Sequence, residues 1–157
     1  MMMNRSITQN QPARSNKQVF IVEDDPTIRD LLVEALTEEI PFLQCIPLST
    51  GQAALRTSIL QPPDLLICDY LLGDTTGIEV YDQLRSRMGW EEIPTLFVSA
   101  TPPWHEIKAR HLACLEKPFD LDELLTVVNT LLYCQREPVC VARGGFHATR
   151  VDEAIAC

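Results

Sequence analysis

Leu65-Leu66-Ile67-Cys68-Asp69 decides how this chain is read. Four apolar residues in a row mark a strand buried on both faces. The carboxylate that closes the run stands where open α/β sheets bind ligands, at the carboxyl end of a strand. Three further runs end in the same way. Val19-Phe20-Ile21-Val22 leads into Glu23-Asp24-Asp25, Thr95-Leu96-Phe97-Val98 leads into Ser99, and Leu112-Ala113-Cys114-Leu115 is followed by Lys117. The strand ends therefore present acids, a hydroxyl and an amine. If the strands are parallel, all of these groups gather on one edge of one sheet.

The segments between the runs carry helical patterns. Strands are expected at about 18–22, 42–47, 65–68, 94–98 and 112–116. The first helix begins near Pro26, with Asp25 suited to the N-cap and proline to the first helical position. Its residues Ile28, Leu31, Leu32, Ala35 and Leu36 recur at helical spacing. Thr50 caps a second helix of about 51–60 that stops before Pro62-Pro63. The loop Gly73-Asp74-Thr75-Thr76-Gly77 leads to a helix of about 78–88, and only a short helix fits between Trp104 and His111. The last helix is expected at about 120–134, with Asp120 as N-cap and Glu123 three residues on in an approximate capping box. Strands alternating with helices imply βαβ units. The fold class is α/β, a doubly wound five-stranded parallel sheet with helices on both faces.

The chain has 157 residues, of which 46% are hydrophobic, enough for one domain with a real core. Residues 1–17 read as a disordered arm, 18–134 as the domain, and 135–157 as a tail too short for a second one. The formal net charge of −9 argues against nucleic-acid binding through a basic face and suits a site that attracts cations or basic partners. No apolar stretch approaches the ~18 residues that span a bilayer. The N-terminus also lacks the apolar centre of a signal peptide. A cytoplasmic location with reduced thiols is expected, and no membrane partner. Six cysteines, Cys45, Cys68, Cys114, Cys134, Cys140 and Cys157, form no CxxC pair, so neither a zinc site nor a redox dithiol is expected. Cys45, Cys68 and Cys114 lie in strand-like runs and read as small core residues.

Carboxylates at neighbouring strand ends suit Mg²⁺, which prefers oxygen ligands and needs only one or two carboxylates because it keeps several waters. With that charge balanced, Asp69 becomes a nucleophile toward phosphorus. The three equatorial oxygens of a transferring phosphoryl group then need partners. The cation takes one, the Lys117 ammonium a second, and the Ser99 hydroxyl with a nearby backbone N–H the third. Singly, each residue has a plainer reading: an acid at a strand end is more often a cap or turn residue, and Lys117 before Pro118 is more often a solvated turn lysine. Their joint occurrence on one expected edge favours the chemical reading.

On the motifs Val22-Glu23-Asp24-Asp25-Pro26, Leu66-Ile67-Cys68-Asp69 with Gly77 eight positions on, Val98-Ser99-Ala100 and Lys117-Pro118-Phe119, residues 18–134 resemble the receiver domain of two-component response regulators. The resemblance implies a flavodoxin-like receiver fold with strand order 2-1-3-4-5. It implies a single-domain response regulator that takes a phosphoryl group from a histidine kinase phosphohistidine onto Asp69 with Mg²⁺. Glu23 and Asp24 match the metal-site acids, Asp24 the more direct ligand, and the backbone carbonyl of Leu71 matches a further ligand. Ser99 and Lys117 match the hydroxyl and the amine that contact the phosphoryl group. Such a protein is a signalling receiver that assists its own phosphorylation and dephosphorylation, not a metabolic enzyme. Its partners would be a histidine kinase or histidine phosphotransfer protein and a downstream protein. With no output domain in the tail, direct DNA binding is not expected, and a phosphorelay role is the alternative.

Several positions depart from the family pattern. Gly73 stands where proline is usual, which loosens the loop. Cys114 occupies the switch position usually held by an aromatic ring. The interval from Ser99 to Lys117 is short by roughly one helical turn, so a shortened fourth helix and an altered output face are expected. Leu71 has no polar side chain to orient water beside Asp69, and a long-lived aspartyl phosphate is expected. Two other functions fit the residues less well. A Mg²⁺-dependent phosphohydrolase would place a general acid two residues after its nucleophile, where Leu71 stands. A receiver serving only as a binding module would not need Glu23, Asp24, Asp69, Ser99 and Lys117 together.

Overall fold

The computed structural model describes residues 16–90, 93–133 and 140–141, with backbone alone at 88, 140 and 141. The elements follow in the order β1 (Lys17–Val22), α1 (Pro26–Glu39), β2 (Leu43–Leu48), α2 (Gly51–Ser58), β3 (Leu65–Asp69), α3 (Gly77–Met88), β4 (Thr95–Ser99), α4 (Trp104–Ala109), β5 (Ala113–Glu116), α5 (Leu121–Tyr133) and β6 (Cys140–Val141). The strands form one sheet in the order β2-β1-β3-β4-β5-β6, with every neighbouring pair parallel.

The first five strands stand in the expected order, 2-1-3-4-5. A two-residue sixth strand, inside the segment 135–157 read as a tail, adds to the five that were expected. It places Cys140 opposite Cys114 and Val141 opposite Leu115 at the sheet edge. Val139-Cys140-Val141 is too short a run for strand alternation to register in sequence. The expected arm up to residue 15, Cys134, Cys157 and the rest of the tail lie outside the described residues.

Strand alternation divides the core between two layers. On one face Val19, Ile21, Leu65, Ile67, Leu96, Val98 and Leu115 pack with Leu32 and Leu36 of α1 and with Leu124, Val127 and Val128 of α5. On the other, Phe20, Val22, Leu66, Cys68, Phe97 and Cys114 pack with Ala54 of α2, with Ile78, Val80, Tyr81 and Leu84 of α3, and with Ile107 of α4. Cys68 and Cys114 are fully buried in this second layer, as their strand positions suggested, while Cys45 is half-buried.

The helix starts follow their caps. Asp25 accepts from the N–H groups of Thr27 and Ile28, Thr50 accepts from Ala53, and Asp120 and Glu123 exchange side-chain-to-backbone bonds. Helix α2 stops at Ser58, two residues short of expectation, where the Thr57 and Ser58 hydroxyls bond back to the carbonyls of Ala53 and Leu55. Helix α4 has only six residues and no side-chain cap. It is held to α3 by Arg110, which donates to both carboxylate oxygens of Asp82 at 2.9 and 2.8 Å.

Candidate functional site at the carboxyl edge of the sheet

The residues of the site stand at or just beyond the carboxyl ends of their strands, Asp69 and Ser99 as the last residues of β3 and β4, Glu23 and Lys117 directly after β1 and β5. At the end of β1 the Glu23 N–H donates to Leu48 O at 3.0 Å, which fixes the chain as it turns away from the sheet. Glu23 is buried, 1% exposed, and its Oε1 accepts from the Asp25 N–H. Asp24 points from the same turn and is exposed. Asp69 closes β3 and is half-buried. Its Oδ1 makes only a long 3.4 Å contact with the Leu71 N–H. One oxygen from each of Glu23, Asp24 and Asp69 lies within 4.8 Å of the others.

Lys117 follows β5 and is positioned through its backbone, whose N–H donates to Ser99 O at 2.8 Å. Its ammonium lies between two of the acids, donating to Glu23 Oε2 at 3.0 Å and Asp69 Oδ2 at 3.2 Å. Burial alone would lower the Lys117 pKa. The hydrogen bond to Glu23 and the charge of Asp69 outweigh it and hold the ammonium above its ordinary value. Burial pushes the Glu23 carboxyl up, against the opposing hydrogen bonds from Lys117 and the Asp25 N–H. When ionised, three carboxylates facing one ammonium leave an excess of negative charge. The clustered oxygens match what a hard divalent cation requires.

Ser99 ends β4 and is 2% exposed; its hydroxyl oxygen accepts from the Thr101 N–H at 3.1 Å. Leu71 is 58% exposed and forms an antiparallel bridge with Thr76 across the β3–α3 loop. Cys114 stands apart from these groups, inside the second core layer and in register with Phe97. The sequence-expected set thus divides: Glu23, Asp24, Asp69 and Lys117 form one polar cluster, Ser99 adjoins it through Lys117, and Cys114 lies in the core.

Three residues at this edge carried no signal in the sequence. Arg29 of α1 donates from Nη1 to Glu23 O at 2.8 Å and pins the turn that carries the acids. Asp74 accepts from the N–H groups of Gly51 and Gln52 at the start of α2. Gly51 has no room for a side chain, because a Cβ there would stand 2.5 Å from Thr75 Cγ2 and 2.6 Å from Val80 Cγ2. An arginine on a helix, an aspartate in a polar loop and a glycine at a helix start have ordinary local explanations. Only tertiary contacts single them out.

Residues 19–129 match the family model of the response regulator receiver domain. The transcriptional regulatory protein KdpE of Mycobacterium tuberculosis is 36% identical over 111 residues, covering 68% of this chain and 47% of that protein. The phosphate regulon transcriptional regulatory protein PhoB of Pseudomonas aeruginosa is 30% identical over 120 residues, covering 74% and 52%. The chain therefore spans about half the length of these relatives. Among solved structures, the response regulator TrrA of Thermotoga maritima, in complex with Mg²⁺-BeF, is similar at a TM-score of 0.65 and 28% identity over 74% of this chain and 99% of that one. The chemotaxis response regulator CheY4 of Vibrio cholerae shares the fold at a TM-score of 0.68 and 24% identity, over 75% of this chain and all of that one.

Proposed function

The chain belongs to the response regulator receiver domain family, and from that premise we propose that it accepts a phosphoryl group on Asp69 from the phosphohistidine of a histidine kinase or phosphotransfer protein. The observation that carries the proposal is the Lys117 ammonium shared between Glu23 and Asp69 beside a cluster of three carboxylates.

Asp69 Oδ1 is the nucleophilic oxygen. Oδ2 is engaged by Lys117, whereas Oδ1 has only its long contact with the Leu71 N–H. As the Oδ1–P bond forms, the P–N bond to the donor imidazole breaks and its electron pair returns to the ring nitrogen. Lys117 keeps a donor on the Asp69 side, where a phosphoryl oxygen arrives. Ser99 supplies a second contact once its hydroxyl turns from the Thr101 N–H. Buried Glu23 orients both the lysine and the turn that carries Asp24.

Glu23, Asp24, Asp69 and the Leu71 carbonyl would hold Mg²⁺. Bound there, the ion would offset the charge of the acids and of the incoming phosphoryl oxygens. The receiver comprises residues 18–134, and it acts by changing its contacts with a protein partner or by passing the phosphoryl group onward. The histidine-containing donor and the downstream partner are both proteins.

Incubation with acetyl phosphate and Mg²⁺, followed by intact mass measurement, tests the reading. The expected result is a gain of one phosphoryl group that disappears in Asp69→Asn. A chain left unmodified by acetyl phosphate and by a phosphorylated histidine donor alike would defeat it.

A further inference from the structure

The loop after Asp69 joins two parts of the molecule. Within it, Leu72 N–H donates to Thr75 O at 3.1 Å, Gly77 N–H donates to Tyr70 O at 2.7 Å, and Leu71 bridges Thr76. These bonds shape the loop but do not attach its tip to anything else. Asp74, near the tip, makes the attachment. Its carboxylate oxygens accept from Gly51 N–H at 3.2 Å and Gln52 N–H at 3.4 Å, the first two amides of α2.

The contacts on either side of Asp74 complete a closed path. Gly51 and Thr75 approach so closely that only glycine fits at 51. On the other flank, a Cβ at Gly73 would lie 3.7 Å from Asp24 Oδ2, so the loop adjoins the acidic cluster directly. Glu23 is bonded to the end of β2 through Leu48 O, and Thr50 leads from β2 into α2. The path therefore runs from Glu23 and Asp24 through β2, the α2 start, Asp74 and Gly73, and returns to Asp24. Asp74 supplies the side-chain hydrogen bonds that join the loop to α2.

We infer that Asp74 is a positioning residue: by tethering the β3–α3 loop to the first turn of α2, it holds the Leu71 backbone and Gly73 against the acidic cluster at the geometry a divalent cation requires. The inference rests on the proposed Mg²⁺ site. It also accounts for the glycine at 73. A loop without proline restriction is held at its tip by a side chain instead.

A simple helix-capping role for Asp74 makes a different prediction. Removing a cap would loosen α2 but would leave cation affinity alone. Thr50→Ala is the matched control, since it removes the Thr50–Ala53 cap of the same helix without touching the loop. Mg²⁺ is titrated into wild type, Asp74→Ala, Asp74→Asn and Thr50→Ala, with the amide shifts of residues 23–25 and 69–77 followed by NMR. Thermal stability is measured in parallel.

Asp74→Ala is expected to weaken Mg²⁺ binding by about tenfold, the scale typical of groups that orient ligands, with Thr50→Ala within about twofold of wild type. Asp74→Asn keeps one acceptor oxygen and should recover most of the affinity. Should Asp74→Ala bind Mg²⁺ as wild type does, or should Asp74→Ala and Thr50→Ala lose affinity equally, the positioning role is overturned. A wild-type chain that binds no Mg²⁺ would overturn the proposed function itself, a different result from a wild-type chain that binds normally beside an unaffected Asp74→Ala.

Discussion

A side chain at Gly77 would collide with the carbonyl oxygen of Asp69 and stand 2.8 Å from Phe97 Cε1 and 3.1 Å from Cys68 Sγ. Its absence lets α3 begin directly against the strand that carries Asp69. Gly77→Ala is therefore expected to destabilise the fold by about 1–3 kcal/mol through overpacking, read as a lower urea midpoint at unchanged slope. An unaltered midpoint would mean that the backbone yields without cost. The sequence marks Gly77 by its distance from Asp69, but the reason for the glycine appears only in the folded chain. Cys114 has a similar history. The register sets it beside Phe97, whose ring already packs edge-on to Tyr81 with centroids 6.4 Å apart. The residues that fill this layer come from a different strand and a different helix, and no local pattern reveals them.

At the level of elements, the start of α3 is the most heavily bonded. Thr76 and Glu79 form a reciprocal capping box, and the Glu79 carboxylate also accepts from the hydroxyls of Thr75 and Thr76. The hydrogen bond from Thr75, then those from Thr76, hold the Glu79 carboxyl below its ordinary value of 4.5. A depressed carboxyl stabilises the fold above its unfolded pKa and loses that contribution as pH falls through the folded value. The thermal advantage of wild type over Glu79→Ala should therefore be constant above about pH 5 and shrink below about pH 4. An advantage independent of pH down to about pH 3 would show that the ionised carboxylate is not what matters. The caps at Asp25, Thr50 and Asp120 are legible because each precedes a clear apolar periodicity. The box at Thr76 is masked by the turn-forming residues around it, and α3 accordingly starts one residue earlier than the pattern predicts. The short α4 is legible as a shortage of residues between Ser99 and Lys117. Its anchorage through Arg110 and Asp82 is not, because the two residues lie 28 positions apart.

For the molecule as a whole, four strands and the polar edge can be read from the runs that end at Val22, Cys68, Val98 and Leu115, and the fifth strand and the alternation with helices from the segments between them, with β2 expected at 42–47. The strand order required a family resemblance, since right-handed crossovers alone leave several orders open. The sixth strand gave no sequence signal. Ser99 stands between the site and α4, and its hydroxyl oxygen accepts from the Thr101 N–H. Drawing that hydroxyl toward a phosphoryl group would leave Thr101 without its acceptor, directly before Pro102-Pro103 and α4. Mg²⁺ with beryllofluoride is therefore expected to shift amide resonances across residues 100–116. Shifts confined to residues 23–25 and 69–77 would rule out the α4 face as the reporting surface.

Lys117 and Glu23 touch across 94 positions of sequence. A ribosome releases the chain from its N-terminus, so the acids emerge long before the ammonium that joins them. Strand β5 and the turn after it must be made and docked before the Lys117 contacts exist. A chain that stops short of β5 can carry Glu23, Asp24 and Asp69 yet lack the lysine, leaving Glu23 and Asp69 without the ammonium that joins them. Long-range closure of this kind is slow to form, and it makes the joined Glu23–Lys117–Asp69 arrangement depend on a folded and docked β5.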